Sequence, residues 1–559
     1  MKKKYVRWTL WTIASPFILF IILCILIYLP PIQNFLVDKA AVYASEATGM
    51  NISVGRISLS FPLNLVVTNV DAASPHNDTL LSVRRLQVNV QLLPLLKKQV
   101  EVDGISLQGA TVNSNDLIHG MKLNGTLGEL FISSHGVALD PETAIVNKVL
   151  LKDTDLSLCL NDTAAADTAA SDTTYWKIIL QDIDLQNVSF ALDMPLDSLS
   201  LAASLDNAIL RDGLIDLHKS AYSLQTFRIK NGRVRYDSGK PLAADSLPSG
   251  LDPSHIALTD IGVKLDSLYY GGRNMKAIIS QFVLKERSGV EIVSATGRMV
   301  SNDKVLRVPS LKLETRDSYL ELNAAMDWNA LDFKDEGLVS ARLMADIGKP
   351  DVVRFMGSMD EKFIRQYPSE PLRIRTGIDG DLNKLKLTTL TAELPGALGL
   401  FARGELTHLT DSLLRGGDIT LEAETKDLKF VSTLAEGIEI PYGTRLEGKF
   451  TMAGTKMGTD LLLMQPEAQA VVAADTIPIT VYNDSISVAD DFKMERAARL
   501  FAKYDLSRDR YEADLAVNHF DLHQFMPADS LYTLSTRLKV EGEGFDFFSP
   551  RTYFKAEGG

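Results

Sequence analysis

The chain has 559 residues, of which 46% are hydrophobic and 8% aromatic, and it carries a formal net charge of −13. This length exceeds one ordinary hydrophobic core, so we expect several domains or one elongated repetitive body. The acidic balance disfavours binding to phosphate backbones, and we expect no nucleic-acid partner. Because the chain has only two cysteines, Cys24 and Cys159, a disulfide framework is excluded.

The first predicted element is a membrane-spanning helix. Residues 10–29 carry no charge and follow four cationic residues in the first nine. About 20 apolar residues are needed to cross a bilayer core of about 30 Å. The positive-inside rule then makes residues 1–9 a cytoplasmic tail, residues 10–31 the helix, and everything after Pro31 exported. The side chains chosen as the membrane anchor are Trp11, Phe17, Leu19, Phe20, Leu23, Leu26 and Tyr28.

A cleaved signal peptide is the alternative interpretation of this segment. It fits less well, because a signal peptide has a shorter apolar region of about 7 to 15 residues before its cleavage site. Here the run is longer and ends in Pro30-Pro31. After it, apolar residues at helical spacing predict a short amphipathic helix over residues 32–49, with Gly49 as its stop.

From Asn51 onward the periodicity changes from helical to alternating. In residues 86–92 every second side chain is apolar, and the same alternation returns in residues 419–424, 511–517 and 537–541. Strict alternation indicates strands with one dry face. The sequence therefore predicts a mainly β body over residues 50–559, built as a long antiparallel sheet.

A weak internal repeat supports this prediction. Its form is apolar-x-apolar-x-(Gly/Asn/Asp)-x-x-apolar, and the copies start 44, 34 and 44 residues apart. Glycine, asparagine and aspartate tolerate the backbone of a bulge or tight bend, so each copy is expected to bend at its fifth position. Those four positions are Gly109, Asp153, Asn187 and Asn231.

One further helix is predicted over residues 351–366, packed beside the sheet or plugging one end of it. We find no phosphate-binding glycine loop, no zinc-protease motif and no nucleophile elbow. His519 and His523 would share one strand face, but no third clustered ligand accompanies them. The sequence thus predicts no catalytic residues, no metal, no cofactor and no enzymatic activity.

The order of these elements resembles the AsmA-like superfamily, most of all its TamB branch, the translocation and assembly module inner-membrane subunit. The resemblance begins with the anchor, the short helix and the Gly-x-Ile-x-Leu strand in residues 32–74, and continues through Asp-Thr-Leu-Leu in residues 78–114. Later segments that resemble the same branch are residues 283–300, 311–322, 514–531 and 538–547. The order of these motifs along the chain carries the resemblance.

The resemblance implies an inner-membrane anchor and a periplasmic, U-shaped sheet, the β-taco of bridge-like lipid-transfer proteins. Its apolar trough would carry phospholipid acyl chains toward the outer membrane. The TamB branch is also associated with an outer-membrane barrel partner in protein assembly and secretion. The chain stops at Gly559 in strand-like sequence, without the C-terminal domain of that family, so we expect a part of a longer protein or a short member.

Two interpretations of the dry strand faces stay open. They line a lipid groove, or they fill a closed core, since alternation shows a dry face but not what covers it. Likewise, the function is lipid transport or a scaffold for outer-membrane protein assembly. The residues predicted to line the groove are Leu86, Val88, Val90, Leu92, Ile105, Leu107, Ile183, Leu185, Phe227, Ile229, Leu311, Leu313, Leu515, Val517, Leu538 and Val540.

Overall fold

The structure is a computed structural model. It describes residues 39, 41–42, 45, 50–60, 64–74, 79–91, 102–114, 121–139, 142–161, 175–239, 250–334, 337–357, 360–434, 437–466, 481–482, 485–486, 494, 496–545 and 552–559. The chain divides into two compact units, the first formed by Met1–Ser246 and Asp252–Arg287, the second by Leu247–Leu251 and Ser288–Gly559.

The first unit consists of twelve described strands. They are β1 (Asn51–Ser60), β2 (Asn64–Ala73), β3 (Thr79–Val90), β4 (Val102–Asn113), β5 (Met121–Leu139), β6 (Glu142–Leu160), β7 (Lys177–Met194), β8 (Leu199–Asp216), β9 (Ala221–Leu224), β10 (Thr226–Ser238), β11 (His255–Gly271) and β12 (Asn274–Glu286). A short 3-10 turn, Pro195–Asp197, joins β7 to β8.

The second unit adds sixteen described strands and three short helices. Its strands are β13 (Glu291–Ser301), β14 (Val305–Thr315), β15 (Tyr319–Asp327), β16 (Leu338–Ile347), β17 (Leu372–Asp381), β18 (Lys384–Leu394), β19 (Leu398–Thr407), β20 (Gly416–Thr425), β21 (Arg445–Ala453), β22 (Lys456–Met464), β23 (Val481–Tyr482), β24 (Ser485–Ile486), β25 (Ala497–Asp505), β26 (Arg510–Asp521), β27 (Thr533–Glu543) and β28 (Tyr553–Gly558). Its helices are α1 (Trp328–Leu331), α2 (Lys349–Met356) and α3 (Glu361–Gln366), with 3-10 turns at Lys429–Thr433 and Leu522–Gln524.

Within each unit the strands pair almost entirely with their neighbours along the chain and run antiparallel, which confirms the predicted mainly β class. One pair departs from the prediction. Strands β6 and β7 are parallel, with Val149 opposite Ile183 and Leu151 opposite Leu185. A parallel pair needs a connection of a dozen or more residues, and the chain supplies residues 161–176 at this point.

The predicted membrane anchor, including Trp11, Phe17, Leu19, Phe20, Leu23, Leu26 and Tyr28, lies outside the described residues. Of the helix predicted over residues 32–49, the described positions Lys39, Ala41, Val42 and Ser45 have helical backbone. The hydroxyl of Ser45 accepts a hydrogen bond at 3.0 Å from the backbone N–H of Ile52 in β1. Among the helices that the structure describes, none is both long and apolar enough to cross a bilayer.

The predicted bends of the repeat are confirmed. Gly109, Asp153, Asn187 and Asn231 all have positive φ, between 49° and 61°. Asn69 in β2 has the same conformation, with a φ of 53°. Glycine, asparagine and aspartate visit this left-handed region at the lowest cost, which explains their place in the repeat.

These bends lie on one line across the first unit, which we call the crease row. The pairs on either side of each bend keep their one-to-one register from β2 through β8 to β10, so every bend lies opposite a residue of the same line on the next strand. The residues of this line on β3, β5 and β8 do not have positive φ. The crease row consists of Asn69, Arg84, Gly109, Gly128, Asp153, Asn187, Asp206 and Asn231. Side chains also bond along it, since Asn187 Nδ2 donates to Asp153 Oδ1 at 2.9 Å and Asn231 donates to Asp206.

The crease keeps apolar residues on one face of the sheet. In a straight strand, residues three apart point to opposite faces. Across the bend they share a face, because a methyl group added at Gly232 would lie 3.2 Å from Cγ2 of Ile229. Residues that flank the crease row, among them Val67, Val83 and Ala110, are buried, whereas the bend residue Asp153 is exposed. The apolar face therefore lies on the inside of the bend.

We predict that Asn187→Val destabilises the first unit by about 1–2 kcal/mol, because a β-branched residue is strained at a φ of 51°. Asn187→Gly is the matched control, since glycine adopts this conformation freely and loses only the exposed hydrogen bond to Asp153. Urea unfolding followed by circular dichroism measures both variants. Equal midpoints for the two would show that the bend imposes no strain at this position.

The prediction of a single helix over residues 351–366 is wrong. The structure has two helices there, α2 and α3, with Gly357 between them at a φ of 77°. The side chain of Asp360 caps α3 by accepting from the backbone N–H of Lys362 at 2.9 Å. Asp351 in α2 is buried and accepts hydrogen bonds from Thr315 and Ser318, which fixes α2 to the β14–β15 turn.

Candidate functional site

The groove residues predicted in the first unit lie together on one face of its sheet. Cross-strand pairs place Leu86, Leu107, Leu185 and Ile229 in a single transverse row, through Leu130, Leu151 and Ala208 on the strands between them. Directly opposite residues share a sheet face, so this row is continuous and apolar across β3 to β10. Leu92 lies outside the described residues.

A second apolar row runs beside the first. It contains the predicted residues Val88, Ile105, Ile183 and Phe227, with Ile132, Val149 and Leu210 on the intervening strands. Val90 extends the same face of β3 by one more position. All the described candidates of the first unit thus belong to one apolar face on the inside of the crease, and Ile105 remains 36% exposed.

The second unit repeats this arrangement with a row rich in leucine, which we call the leucine row. It holds the predicted residues Leu311, Leu515 and Leu538. The register of β13 to β28 gives the whole row as Gly297, Leu311, Leu322, Leu343, Thr376, Leu390, Ala402, Leu421, Gly448, Leu461, Leu500, Leu515, Leu538 and Gly558. Leu313 and Val517 lie in the neighbouring row, two residues along their strands.

An apolar cavity of about 700 Å³ lies on this same face of the second unit. Its side-chain lining comes from two further rows. We call Ile419, Phe450, Thr459, Ala502, Ala513 and Val540 the floor row, and Met452, Met457, Tyr504 and Tyr511 the rim row. All of these residues except Val540 line the cavity, and so do Leu406, Gly417 and Phe545.

Differences in side-chain size produce this cavity. The floor is formed by short side chains at Thr459, Ala502 and Ala513, whereas the flanking rows carry leucines on one side and tyrosines or methionines on the other. Three successive short side chains between rows of longer ones leave a trough that crosses β22, β25 and β26. Unbranched methionine at 457 adapts to guests of different shape, and its side chain is 44% exposed.

Tyr511 and Phe545 form an aromatic wall at the β26 end of the cavity. Their rings stack with centroids 4.9 Å apart and an interplanar angle of 15°. The Tyr511 ring covers Gly542 on β27, where an added methyl group would lie 2.5 Å from Cζ of that tyrosine. Gly544, with a φ of 77°, places Phe545 and donates to the backbone carbonyl of Asp509 at 2.9 Å.

The cavity offers few hydrogen-bonding groups to a guest. Its lining is mostly carbon and thioether, and the hydroxyl of Thr459 is buried without a partner among the described residues. The Tyr504 hydroxyl already donates to Asp509, and this hydrogen bond raises the pKa of Tyr504. A polypeptide laid here would leave its backbone groups unsatisfied, whereas a hydrocarbon chain has none to satisfy.

Short helices cover the apolar face of the second unit along one margin. Phe363 and Tyr367, in and just after α3, pack with Phe430 at centroid distances of 5.1 to 5.7 Å. Burial in this cluster raises the pKa of Tyr367. Leu372 and Leu398, at the ends of β17 and β19, pack against the same cluster. The helical segment thus packs against the sheet at the ends of these two strands.

The opposite face of the second unit contains a buried ion pair. Arg499 on β25 binds Asp460 on β22 with two hydrogen bonds, one of them 2.8 Å long from Nε to Oδ1. The side chains are 10% and 9% exposed, and bonding to Asp460 raises the pKa of Arg499. Phe501 and Ala516, on the same face, are also buried. Sequence reasoning missed this pair, because alternation alone assigns charged residues to a solvated face.

The two histidines singled out in the sequence do not share a strand face. His519 lies in β26 at a φ of 45°, whereas His523 lies in the 3-10 turn that follows and stacks on Tyr532 at 5.1 Å. Strand β26 ends at Asp521, between the two histidines, so their side chains do not follow the alternation of a single strand. Within the described part of the chain, no group of three or more potential metal ligands occurs.

Comparisons with known proteins add little to this description. Neither a protein-family model nor a curated protein matches the chain. Among solved structures, the crystal structure of OccK11 (OpdR) from Pseudomonas aeruginosa is similar at 9% sequence identity, with 86% of this chain and 92% of that chain covered. Its TM-score is 0.12, too low to carry an argument.

Proposed function

We propose that the chain is a periplasmic protein anchored in the inner membrane, whose apolar sheet faces carry phospholipid acyl chains toward the outer membrane. In this proposal residues 10–31 form the anchor and the sheet folds into the U-shaped trough of the AsmA-like superfamily. No catalytic step, metal or cofactor is involved.

The observation that carries the proposal is the 700 Å³ cavity on the apolar face of the second unit. Its floor of Thr459, Ala502 and Ala513 and its methionine and tyrosine rim suit a hydrocarbon guest, which gains about 0.8 kcal/mol for each CH₂ removed from water. The apolar rows of the first unit support the same chemistry, since they continue across seven paired strands from β3 to β10, β9 excepted. The groove is passive, because it moves a guest by partition alone.

Native mass spectrometry of the full chain extracted in detergent tests the lipid proposal. We expect several phospholipids to travel with the wild-type protein. Ala513→Asp places a charge on the cavity floor, and we expect it to reduce bound lipid and lipid transfer between vesicles at least tenfold. The variant should still fold, because its new carboxylate reaches the open cavity rather than a sealed core.

Thr420→Asp is the matched control, because Thr420 follows the lining residue Ile419 on β20 and points to the opposite, exposed face. It should bind and transfer lipid as the wild type does. A wild-type protein that carries no more phospholipid than an unrelated single-pass protein in the same detergent would show the proposal to be wrong.

A further inference from the structure

We infer that Tyr511 and Phe545 set the length of the hydrocarbon chain that the cavity accepts, and that the cavity holds one unbranched chain at a time. This inference rests on the proposed function and identifies the residues that give it specificity.

The cavity is long and narrow. Its lining residues come from β19, β20, β21, β22, β25 and β26, which are successive neighbours in the sheet. Six strands about 4.8 Å apart span roughly 24 Å. A volume of about 700 Å³ over that length gives a mean cross-section of roughly 30 Å². One extended hydrocarbon chain fits such a cross-section, and two chains side by side do not.

The floor of the trough continues past the wall. Val540 on β27 lies opposite Ala513 and extends the floor row, and Ala556 on β28 lies opposite Val540. The cavity nevertheless ends at β26 and Phe545, because the Tyr511 ring lies over Gly542 and the Phe545 ring stacks on it. The end of the site is therefore set by two side chains and not by the end of the sheet.

Phe545 is the better of the two positions to change. Its ring is 60% exposed, so truncation removes little buried contact, and its centroid lies 6.0 Å from that of Tyr504. Without this ring Tyr511 loses its stacking partner and is free to turn away from Gly542. The cavity then opens onto β27, where additional methylene groups of a guest are buried against the strand and removed from water.

The test measures affinity against chain length. Purified full-length protein is titrated with saturated fatty acids of increasing length, by displacement of a fluorescent apolar dye. For the wild type we expect affinity to rise with each methylene and then to reach a plateau, because carbons beyond the wall stay in water. Phe545→Ala should move the plateau to longer acids, with a further threefold to fourfold gain in affinity for each newly buried methylene.

Two companion variants make the result interpretable. Phe333→Ala truncates a phenylalanine of the same unit that is 66% exposed and does not line the cavity, so its plateau should match the wild type. Ala502→Phe places a large side chain on the cavity floor and should weaken the binding of fatty acids of every length. Thermal unfolding by circular dichroism verifies that each variant is folded.

Each outcome decides between the two proposals. A plateau shifted by Phe545→Ala and unchanged by Phe333→Ala supports the inference. Binding with the same plateau in the wild type and Phe545→Ala overturns the inference and leaves the lipid function intact. If no fatty acid displaces the dye from the wild type, the inference and the proposed function both fail.

Discussion

Replacing Asp460 by alanine should cost the second unit about 3–5 kcal/mol of unfolding free energy. Arg499 would then keep its charge in a site where its side chain is 10% exposed. A guanidinium cannot become neutral near physiological pH, so the whole cost of burying an unpaired charge falls on the folded state. Urea unfolding of the full chain, followed by tryptophan fluorescence and circular dichroism, measures the loss.

The double variant Asp460→Leu with Arg499→Met is the control for this experiment. It removes both charges and restores apolar volume, and replacing a buried ion pair in this way is often neutral. We expect it to recover most of the stability lost in Asp460→Ala. If the single variant unfolds at the wild-type urea midpoint, Arg499 reaches solvent and the pair is not buried as described.

Gly417→Ala should lower the unfolding free energy of the second unit by at least about 3 kcal/mol. At this position φ is 135°, and an added Cβ would lie 2.1 Å from the backbone carbonyl oxygen of Glu405. Any residue other than glycine is strained at such a φ. The added Cβ would also clash with a backbone atom, which cannot move away as a flexible side chain can. The strands β19 and β20 would have to separate at the end of the cavity that Leu406 and Gly417 line.

Gly399→Ala is the matched control on β19. No atom lies within 4 Å of the Cβ that this change would add. Removing a glycine there restricts the unfolded chain and should leave stability unchanged or raise it by about 0.4–1 kcal/mol. Equal losses for Gly399→Ala and Gly417→Ala would mean that the strained backbone at Gly417 is not the cause.

The sequence predicted the local features of the fold well, because they depend on nearby residues. Alternation at residues 86–92 identifies a strand, and the repeat locates the bends at Gly109, Asp153, Asn187 and Asn231. The same pattern surrounds Asn69, Asp212 and Asp260, which also have positive φ and were not recognised. A search for every asparagine or aspartate in that pattern would have found them.

Features that depend on which strands pair were not predictable in the same way. The parallel pair of β6 and β7 depends on the connection over residues 161–176, whose length permits either direction. The cavity depends on Thr459, Ala502 and Ala513 meeting across three strands, and periodicity does not give register. The buried pair of Asp460 and Arg499 did leave a signal, since residues 497–502 read AARLFA and apolar residues on both faces indicate a strand covered on both sides.

The crease row has a consequence for how such a body can change in size. Each strand from β2 to β10 except β9 supplies one residue to that line and bonds only to the strands beside it, so an antiparallel hairpin is a self-contained module. Adding or deleting one hairpin changes the first unit by two strand widths, about 10 Å, and leaves every remaining bend aligned. Inserting one residue within a strand instead moves its bend off the line. The apolar side chains on one side of the insertion then point to the opposite face of the sheet.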